Sequence, residues 1–243
     1  MPRVYIPPER IKGDQITLQS REMRYILKVL RLGPGDEVTV FNGEGVEYLA
    51  ELCENYGGGI YLVIKEELRP ERESPLRLTL AQGLLKGEKM KFVIQKATEL
   101  GVARIVPITT SRSIPILEEE KETLRIQRWR RIAQEATKQC GRTVVPQVTE
   151  IQDLGDFLAQ SKGAKLILWE EEPTPLREVL ERIDLSPGIT LLIGPEGGFS
   201  EKEVTHAQAH GFLAAGLGRR ILRAETAALS VLSILQHLFG DLG

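Results

Sequence analysis

Cysteine is almost missing from this chain: Cys53 and Cys140 are the only two in 243 residues, far apart and outside any CxxC. A disulfide framework or a zinc ribbon therefore has no donors, and a reducing cytoplasm is the expected compartment. No run approaches the roughly 18 apolar residues of a membrane span, and Met1-Pro2-Arg3-Val4-Tyr5-Ile6-Pro7-Pro8 has no apolar signal segment. A large excess of either charge is also lacking. The formal net charge of -2 argues against blanket affinity for nucleic acid. Three nucleotide and hydrolase signatures are absent. The GxxxxGK[ST] order fails, even at Gly83-Leu84-Leu85-Lys86-Gly87-Glu88-Lys89, no GxGxxG opens a βαβ unit, and there is no GxSxG elbow. His206 and His210 are spaced four apart like a zinc pair but have no third ligand, so no metal is expected.

What is present is an ordinary globular composition, long for one domain, so one large and one small domain are expected. Such a body buries enough surface for a core without disulfides or metals. Charge is unevenly placed. Residues 1–31 carry seven Lys and Arg against three acids, a net of +4, and residues 121–142 carry seven against two, a net of +5. Each window alone reads equally well as a solvated helix face. Two of them on a mildly acidic chain favour a localised phosphate-binding surface.

The first 70 residues alternate like a small barrel. Short strands are predicted at Val4–Ile6, Ile16–Leu18, Glu37–Phe41, Tyr48–Leu52 and Ile60–Ile64, separated by turns such as Gly33-Pro34-Gly35-Asp36 and Asn42-Gly43-Glu44-Gly45. One basic helix, capped by Ser20, interrupts them. Leu68-Arg69-Pro70-Glu71-Arg72-Glu73-Ser74-Pro75 reads as a linker, dividing the chain into domains 1–70 and 71–243. Beyond it strands and helices alternate, which means a parallel sheet. Strands are expected at Leu76–Ala81, Ile105–Ile108, Val144–Val145, Leu166–Trp169 and Thr190–Ile193. Helices are expected at Glu88–Leu100, with Phe92, Val93, Lys96, Ala97 and Leu100 on one side, and at about Glu119–Cys140, Leu154–Gln160 and Leu176–Ile183. The acids of Glu118-Glu119-Glu120 suit a helix start. Ser200-Glu201-Lys202-Glu203 matches a capping box. The last helix, Glu225–Phe239, has more apolar residues than one core-facing stripe needs, which points to a second subunit.

Two loops carry the strongest signal. Leu191-Leu192-Ile193-Gly194-Pro195-Glu196-Gly197-Gly198-Phe199-Ser200 is an apolar strand ending in three glycines and a proline before a helix restarts. Leu217-Gly218-Arg219-Arg220-Ile221-Leu222-Arg223-Ala224-Glu225-Thr226-Ala227 puts three arginines between a short strand and an apolar helix. At the carboxyl edge of a parallel sheet such loops offer bare backbone to a polar ligand. Leu168, Trp169 and Glu170 end another strand at the same edge.

These loops, in order with Gln95-Lys96-Ala97-Thr98-Glu99-Leu100-Gly101-Val102, Ser111-Arg112-Ser113, Arg128-Trp129 and Gln139-Cys140-Gly141-Arg142, closely resemble the RsmE family, which methylates N3 of a uridine in 16S ribosomal RNA. The resemblance spans essentially the full chain. It implies an α/β domain of the SPOUT type, knotted as a trefoil, preceded by a PUA-like or OB-like β-barrel. It also implies S-adenosylmethionine as methyl donor and a homodimer. Carried over position by position, the donor site is Leu168, Gly194, Pro195, Glu196, Gly197, Leu217, Gly218, Ile221, Leu222 and Thr226. Arg223 is the candidate for stabilising the developing uridine anion. Glu196 or Glu225 is the candidate base, each equally readable as the structural partner of a loop arginine.

Arg10, Arg24, Arg112 and Arg142 are the candidate contacts to 16S rRNA or the 30S subunit, and a paired target uridine would have to be turned out of its helix. A SPOUT ribose 2'-O-methyltransferase would share fold and donor, but that branch typically carries an SxNV run where this chain has Leu217–Arg223. A non-catalytic ribosome-assembly factor would bind RNA with the same surfaces, and an intact glycine loop with Arg223 argues against it.

Overall fold

The computed structural model describes residues 2–113, 119–186 and 188–243. They form two units, one of Met1–Glu73 with Thr137–Val145 and one of Ser74–Ala136 with Pro146–Gly243. The first unit contains β1 (Arg3–Tyr5), β2 (Ile11–Lys12), β3 (Gln15–Ile16), helix α1 (Ser20–Arg24), β4 (Glu37–Phe41), β5 (Glu47–Glu54) and β6 (Ile60–Leu68). Its six strands lie in the order β1-β4-β5-β6-β3-β2, with β1 parallel to β4 and the remaining pairs antiparallel. Period-two alternation places Ile16, Val38, Val40, Ala50, Leu52 and Leu62 inside, where Ile26 joins them.

Three expectations in this unit are corrected. Ser20 is the first helical residue rather than the cap. Gln19 caps α1, and its N–H donates to the Glu22 carboxylate at 2.8 Å, because an acid three residues on reaches back to the residue before Ser20. Leu68 ends β6 and so is no linker. Val144 and Val145 add no strand to the parallel sheet. Val144 bridges to Gly43 and Glu44, and the Val145 N–H donates to the Gly43 carbonyl at 3.0 Å. Glu73 accounts for that course. Its carboxylate accepts from Thr143 N–H (3.0 Å), Val144 N–H (3.1 Å) and Arg142 Nε (2.8 Å), so backbone that would otherwise seek a strand partner is satisfied by one side chain.

The second unit is built on seven parallel strands: β7 (Leu78–Gly83), β8 (Arg104–Thr109), β9 (Gln147–Val148), β10 (Gln152–Asp153), β11 (Ala164–Leu168), β12 (Ile189–Ile193) and β13 (Leu213–Ala215). Their order is β10-β8-β7-β12-β11-β13, with β9 also paired to β8. Six helices accompany them: α2 (Lys89–Glu99), α3 (Glu119–Cys140), α4 (Leu154–Gln160), α5 (Leu176–Leu180), α6 (Glu201–Ala209) and α7 (Ala224–Phe239). Glu118 lies outside the described residues.

Alternation along the strands sorts the core into two layers. Leu78, Leu80, Leu166, Leu168, Ile189, Leu191 and Ile193 join residues of α2, α3, α5 and α7 in one layer. Ala81, Ile167 and Leu192 join Leu154, Phe157, Val204 and Ala207 of α4 and α6 in the other. A sheet covered on both faces explains why β12 reads Ile-Thr-Leu-Leu-Ile with no polar alternation and is buried throughout. Phe92 departs from the expected stripe of α2 and is 44% exposed.

Strand order reverses between β7 and β12, since β8 follows β7 to one side while β11 and β13 lie on the other. Ligands bind at such a switch point, outside the carboxyl ends of the strands. From β13 at the sheet edge the chain returns as Leu217–Arg223, and α7 then packs against α2 and β12 near the sheet centre.

Gln236, fully buried on α7, anchors that return. Its Nε2 donates to the Leu100 carbonyl at 2.8 Å, closing α2, and its Oε1 accepts from Ser74 Oγ at 2.6 Å. Gly101, with φ +77°, leaves room for it, because a Cβ there would stand 2.5 Å from Gln236 Nε2. Gln236→Ala strands a buried carbonyl and a hydroxyl and opens a cavity, so urea denaturation should show a loss of about 2–4 kcal/mol with the slope unchanged.

Candidate functional site at the carboxyl edge of the parallel sheet

The site starts from an approach of two backbones. Gly83 ends β7, and a Cβ on it would come within 2.5 Å of the Pro195 nitrogen and 2.9 Å of the Gly194 carbonyl carbon. Only glycine admits the loop after β12 this close. The buried Gln82 side chain fastens the two segments, its Nε2 donating to the carbonyls of Gly83 (3.1 Å) and Gly194 (3.0 Å). Gly198, with φ +66°, turns the loop toward α6, whose capping box of Ser200 and Glu203 forms as the sequence predicts. Glu203 also accepts from the Ser111 N–H at 2.7 Å. Burial would raise the Glu203 carboxyl, but the Ser111 and Ser200 donors hold it below the usual carboxylate range.

Between this loop and Leu217–Arg223 lies a cavity of about 450 Å³. Leu168, Ile193, Ala215, Leu217, Leu222 and Ala227 supply apolar walls. Gly194, Pro195, Gly198 and Gly218 supply backbone, and Glu170, Glu196, Lys89, Arg219, Arg220 and Arg223 bring charge. The volume falls in the range of small-molecule and cofactor sites. An apolar slot edged by glycine backbone suits a purine, and charges of both signs at the mouth suit a ligand that is itself zwitterionic. The residues thus fit an adenosyl cofactor with an amino-acid tail.

Eight of the ten donor-site candidates line this cavity: Leu168, Gly194, Pro195, Glu196, Leu217, Gly218, Ile221 and Leu222. Gly197 faces Arg112, which donates to its carbonyl at 2.9 Å, and Thr226 is exposed on the first turn of α7. Of the catalytic candidates, Arg223 lines the cavity as the exposed N-cap of α7. Glu196 stands on its wall, accepting from the Lys86 N–H at 3.0 Å with the Lys89 ammonium 3.3 Å away. Burial would raise its carboxyl, yet these donors hold it below the ordinary carboxylate range. Glu225 lies 3.8 Å from the same ammonium, and its Oε2, buried, accepts no hydrogen bond.

The four candidate RNA arginines fall in different settings. Arg24 is exposed. Arg10 forks onto Glu22 at 2.9 and 3.2 Å. Arg112 holds the glycine loop through Gly197 and the Phe199 carbonyl (3.4 Å). Arg142 is buried against Glu73. Sequence reasoning missed Gln82, Gly83 and Lys89. Gly83 and Lys89 lie in a segment that fails as a phosphate loop, where a glycine at a strand end is a legible sign of close backbone approach, and Gln82 just before it carries no local signal. His206 and His210 stack edge to face at 4.8 Å. Among the described residues no three His, Cys, Asp or Glu side chains cluster to hold a metal, and no helix is long and apolar enough to cross a membrane.

Comparison with known proteins gives the following. The family described as RNA methyltransferase domain matches residues 72–236, and that described as RNA methyltransferase PUA domain matches residues 18–54. The ribosomal RNA small subunit methyltransferase E of Bacillus subtilis is 30% identical over 233 residues, covering 93% of this chain and 91% of that protein. Its namesake from Synechocystis is 33% identical over 240 residues, covering 97% and 77%. The crystal structure of such an enzyme from Neisseria gonorrhoeae bound to S-adenosyl methionine superposes with a TM-score of 0.89 at 35% identity, covering 100% of each chain. A protein from Legionella pneumophila solved with bound SAM gives 0.89 at 38% identity, covering 99% and 98%.

Gly83→Ala tests the backbone approach directly. A methyl 2.5 Å from a backbone nitrogen has no flexible neighbour to displace, so chemical denaturation should show a loss of about 1–3 kcal/mol. Gly87→Ala is a poor control because Gly87 has φ +57°, whereas Gly33→Ala, in open space, should leave stability nearly unchanged.

Proposed function

This chain belongs to the ribosomal RNA small subunit methyltransferase E family, and from that premise and the geometry of its pocket we propose that it transfers a methyl group from S-adenosylmethionine to N3 of a uridine in 16S ribosomal RNA. The observation that carries the reading is the cavity between the Gly194–Gly198 loop and Leu217–Arg223, an apolar slot with glycine backbone and a charged mouth. Bound there, the donor supplies an electrophilic methyl. As the N3–C bond forms and the S–C bond breaks, N3 gives up its proton and the donor leaves as a neutral thioether.

Arg223 lines the cavity with its side chain exposed, which supports the role assigned to it: its guanidinium offsets the negative charge that grows on the ring as N3 loses its proton. Between the two carboxylates, Glu196 is already engaged by Lys86 and Lys89 and held ionised to low pH, which makes it a weak base. Glu225, whose Oε2 accepts no hydrogen bond, is the other candidate to take the N3 proton. Thr226, next to it, and Gly197 on the opposite loop are retained as donor-site residues through their segments.

On the RNA side, Arg24 contacts phosphate from the PUA-like unit, with Arg10 available by exchange from Glu22. Arg112 and Arg142 act by holding the loops on which RNA rests. The substrate is 16S rRNA or the 30S subunit in the cytoplasm, and the unit boundary near residue 70 separates RNA capture from chemistry. The chain works as a homodimer. Ile234, Leu238 and Phe239 of α7 are each more than a third exposed, which supports apolar surface on this helix for a second copy.

Calorimetry should give one S-adenosylmethionine per subunit, and no binding at millimolar donor removes the enzyme reading. Labelled methyl should reach small-subunit RNA lacking the modification and appear as N3-methyluridine on nucleoside mass spectrometry, whereas label on ribose supports a 2'-O-methyltransferase. Arg223→Ala should lower kcat by about 10²–10³ while keeping donor affinity within a few fold. Sedimentation should show a dimer, converted to monomer by Leu238→Glu with Phe239→Glu.

A further inference from the structure

Lys89 was assigned no part by the sequence, yet it sits where three segments of the pocket meet. Its ammonium is 3.3 Å from Glu196 Oε1, on the loop after β12, and 3.8 Å from Glu225 Oε2, on the first turn of α7, while Lys89 itself opens α2. The Lys86 N–H, one turn earlier in the chain, donates to the same Glu196 oxygen at 3.0 Å. These segments are more than a hundred residues apart in sequence, except for the two in the carboxyl-terminal part of the chain, and no shared strand pairing fixes α7 to the glycine loop.

We propose that Lys89 is a positioning residue for the donor pocket, tying the glycine loop through Glu196 and the start of α7 through Glu225 so that the two cofactor-facing segments keep their spacing. The inference rests on the proposed donor binding. The remaining charges at the cavity are Glu170, Arg219, Arg220 and Arg223. Among the described residues none of the three arginines forms an ion pair with either carboxylate. Remove the ammonium and the two carboxylates lose the cation they share, Glu196 keeping the Lys86 N–H and Glu225 Oε2 no hydrogen bond, so their repulsion is no longer offset and both segments relax outward. Lys89 and Glu196 are 37% and 26% exposed, and pairs in that setting add little to global stability. The effect therefore falls on the local spacing of the pocket rather than on folding. Held by these donors, Glu196 also stays ionised to lower pH than an ordinary glutamate.

The test is S-adenosylmethionine affinity by calorimetry across pH 4–8, with thermal melts alongside. Lys89→Met should melt near the wild type and raise Kd about 10-fold, the scale on which a lost supporting contact acts. Its affinity should also fall off at a higher pH, because Glu196 then protonates more readily. Lys89→Arg should restore most of the affinity. Glu196→Gln keeps an acceptor for the Lys86 N–H and removes the charge that Lys89 holds, so it should reproduce the loss. The double variant should be little weaker than either single one. Wild-type affinity and pH profile in Lys89→Met, or in Glu196→Gln where Lys89→Met does not fold, overturn the proposal, as does a double variant in which the two losses multiply. Absence of donor binding in the wild type instead removes the reading on which the proposal rests.

Discussion

The parallel-sheet unit depends on one close approach, the backbone at the end of β7 against the loop that leaves β12. Gly83 permits it sterically, and Gln82 fastens it by donating to the carbonyls of Gly83 and Gly194. Strand order reverses at this place, and in such sheets ligands bind outside the carboxyl ends of the strands near the reversal. Any side chain at Gly83 would push the β12 loop away from the sheet. The junction fixes where the loop after β12 stands, and that loop is one wall of the cavity, facing Leu217–Arg223 across apolar residues from β11, β12 and β13.

Charge in this chain serves two purposes that its distribution along the sequence does not separate. In the first unit Glu47, nearly fully buried, is engaged by Arg3 and, at 3.3 Å, by Arg72, while Glu73 gathers Arg142 and two backbone amides. Breaking such a buried pair leaves an uncompensated charge, so these arginines are fixed by structure. Arg24, Arg128 and Arg131 are exposed on helices, and Arg219, Arg220 and Arg223 are exposed around the cavity. A count of basic residues per window sums both kinds, which is why each window alone could not be told from an ordinary solvated face.

What the sequence made legible followed from periodicity and turn chemistry. The capping box at Ser200, the glycine after α2 and the buried run of β12 each rest on a local rule and formed as read. The family resemblance supplied the fold, and eight of ten donor-site positions converge on one cavity. What was not legible depended on distant partners. Val144 and Val145 have strand-forming side chains, yet Glu73 draws their segment to the first unit. Phe92 lies off the buried face of its helix, formed by Met90, Val93, Ile94 and Ala97, and is left exposed. Lys89 gained meaning only when Glu196 and Glu225 were seen beside it.

The sign of charge at the pocket follows from what must enter it. A methyl donor of the sulfonium class carries a positive centre beside an ammonium and a carboxylate, while an RNA target brings phosphate and, during reaction, a growing negative charge on the base. A uniformly acidic wall would repel the RNA, and a uniformly basic one would repel the donor. The cavity instead has carboxylates at Glu170, after β11, and Glu196, on the glycine loop, the Lys89 ammonium beside Glu196, and arginines on the loop that precedes α7. Because methyl transfer removes the positive centre from the donor, attraction to the acidic side weakens as the product forms. The same arrangement that admits both substrates therefore favours release of the spent donor.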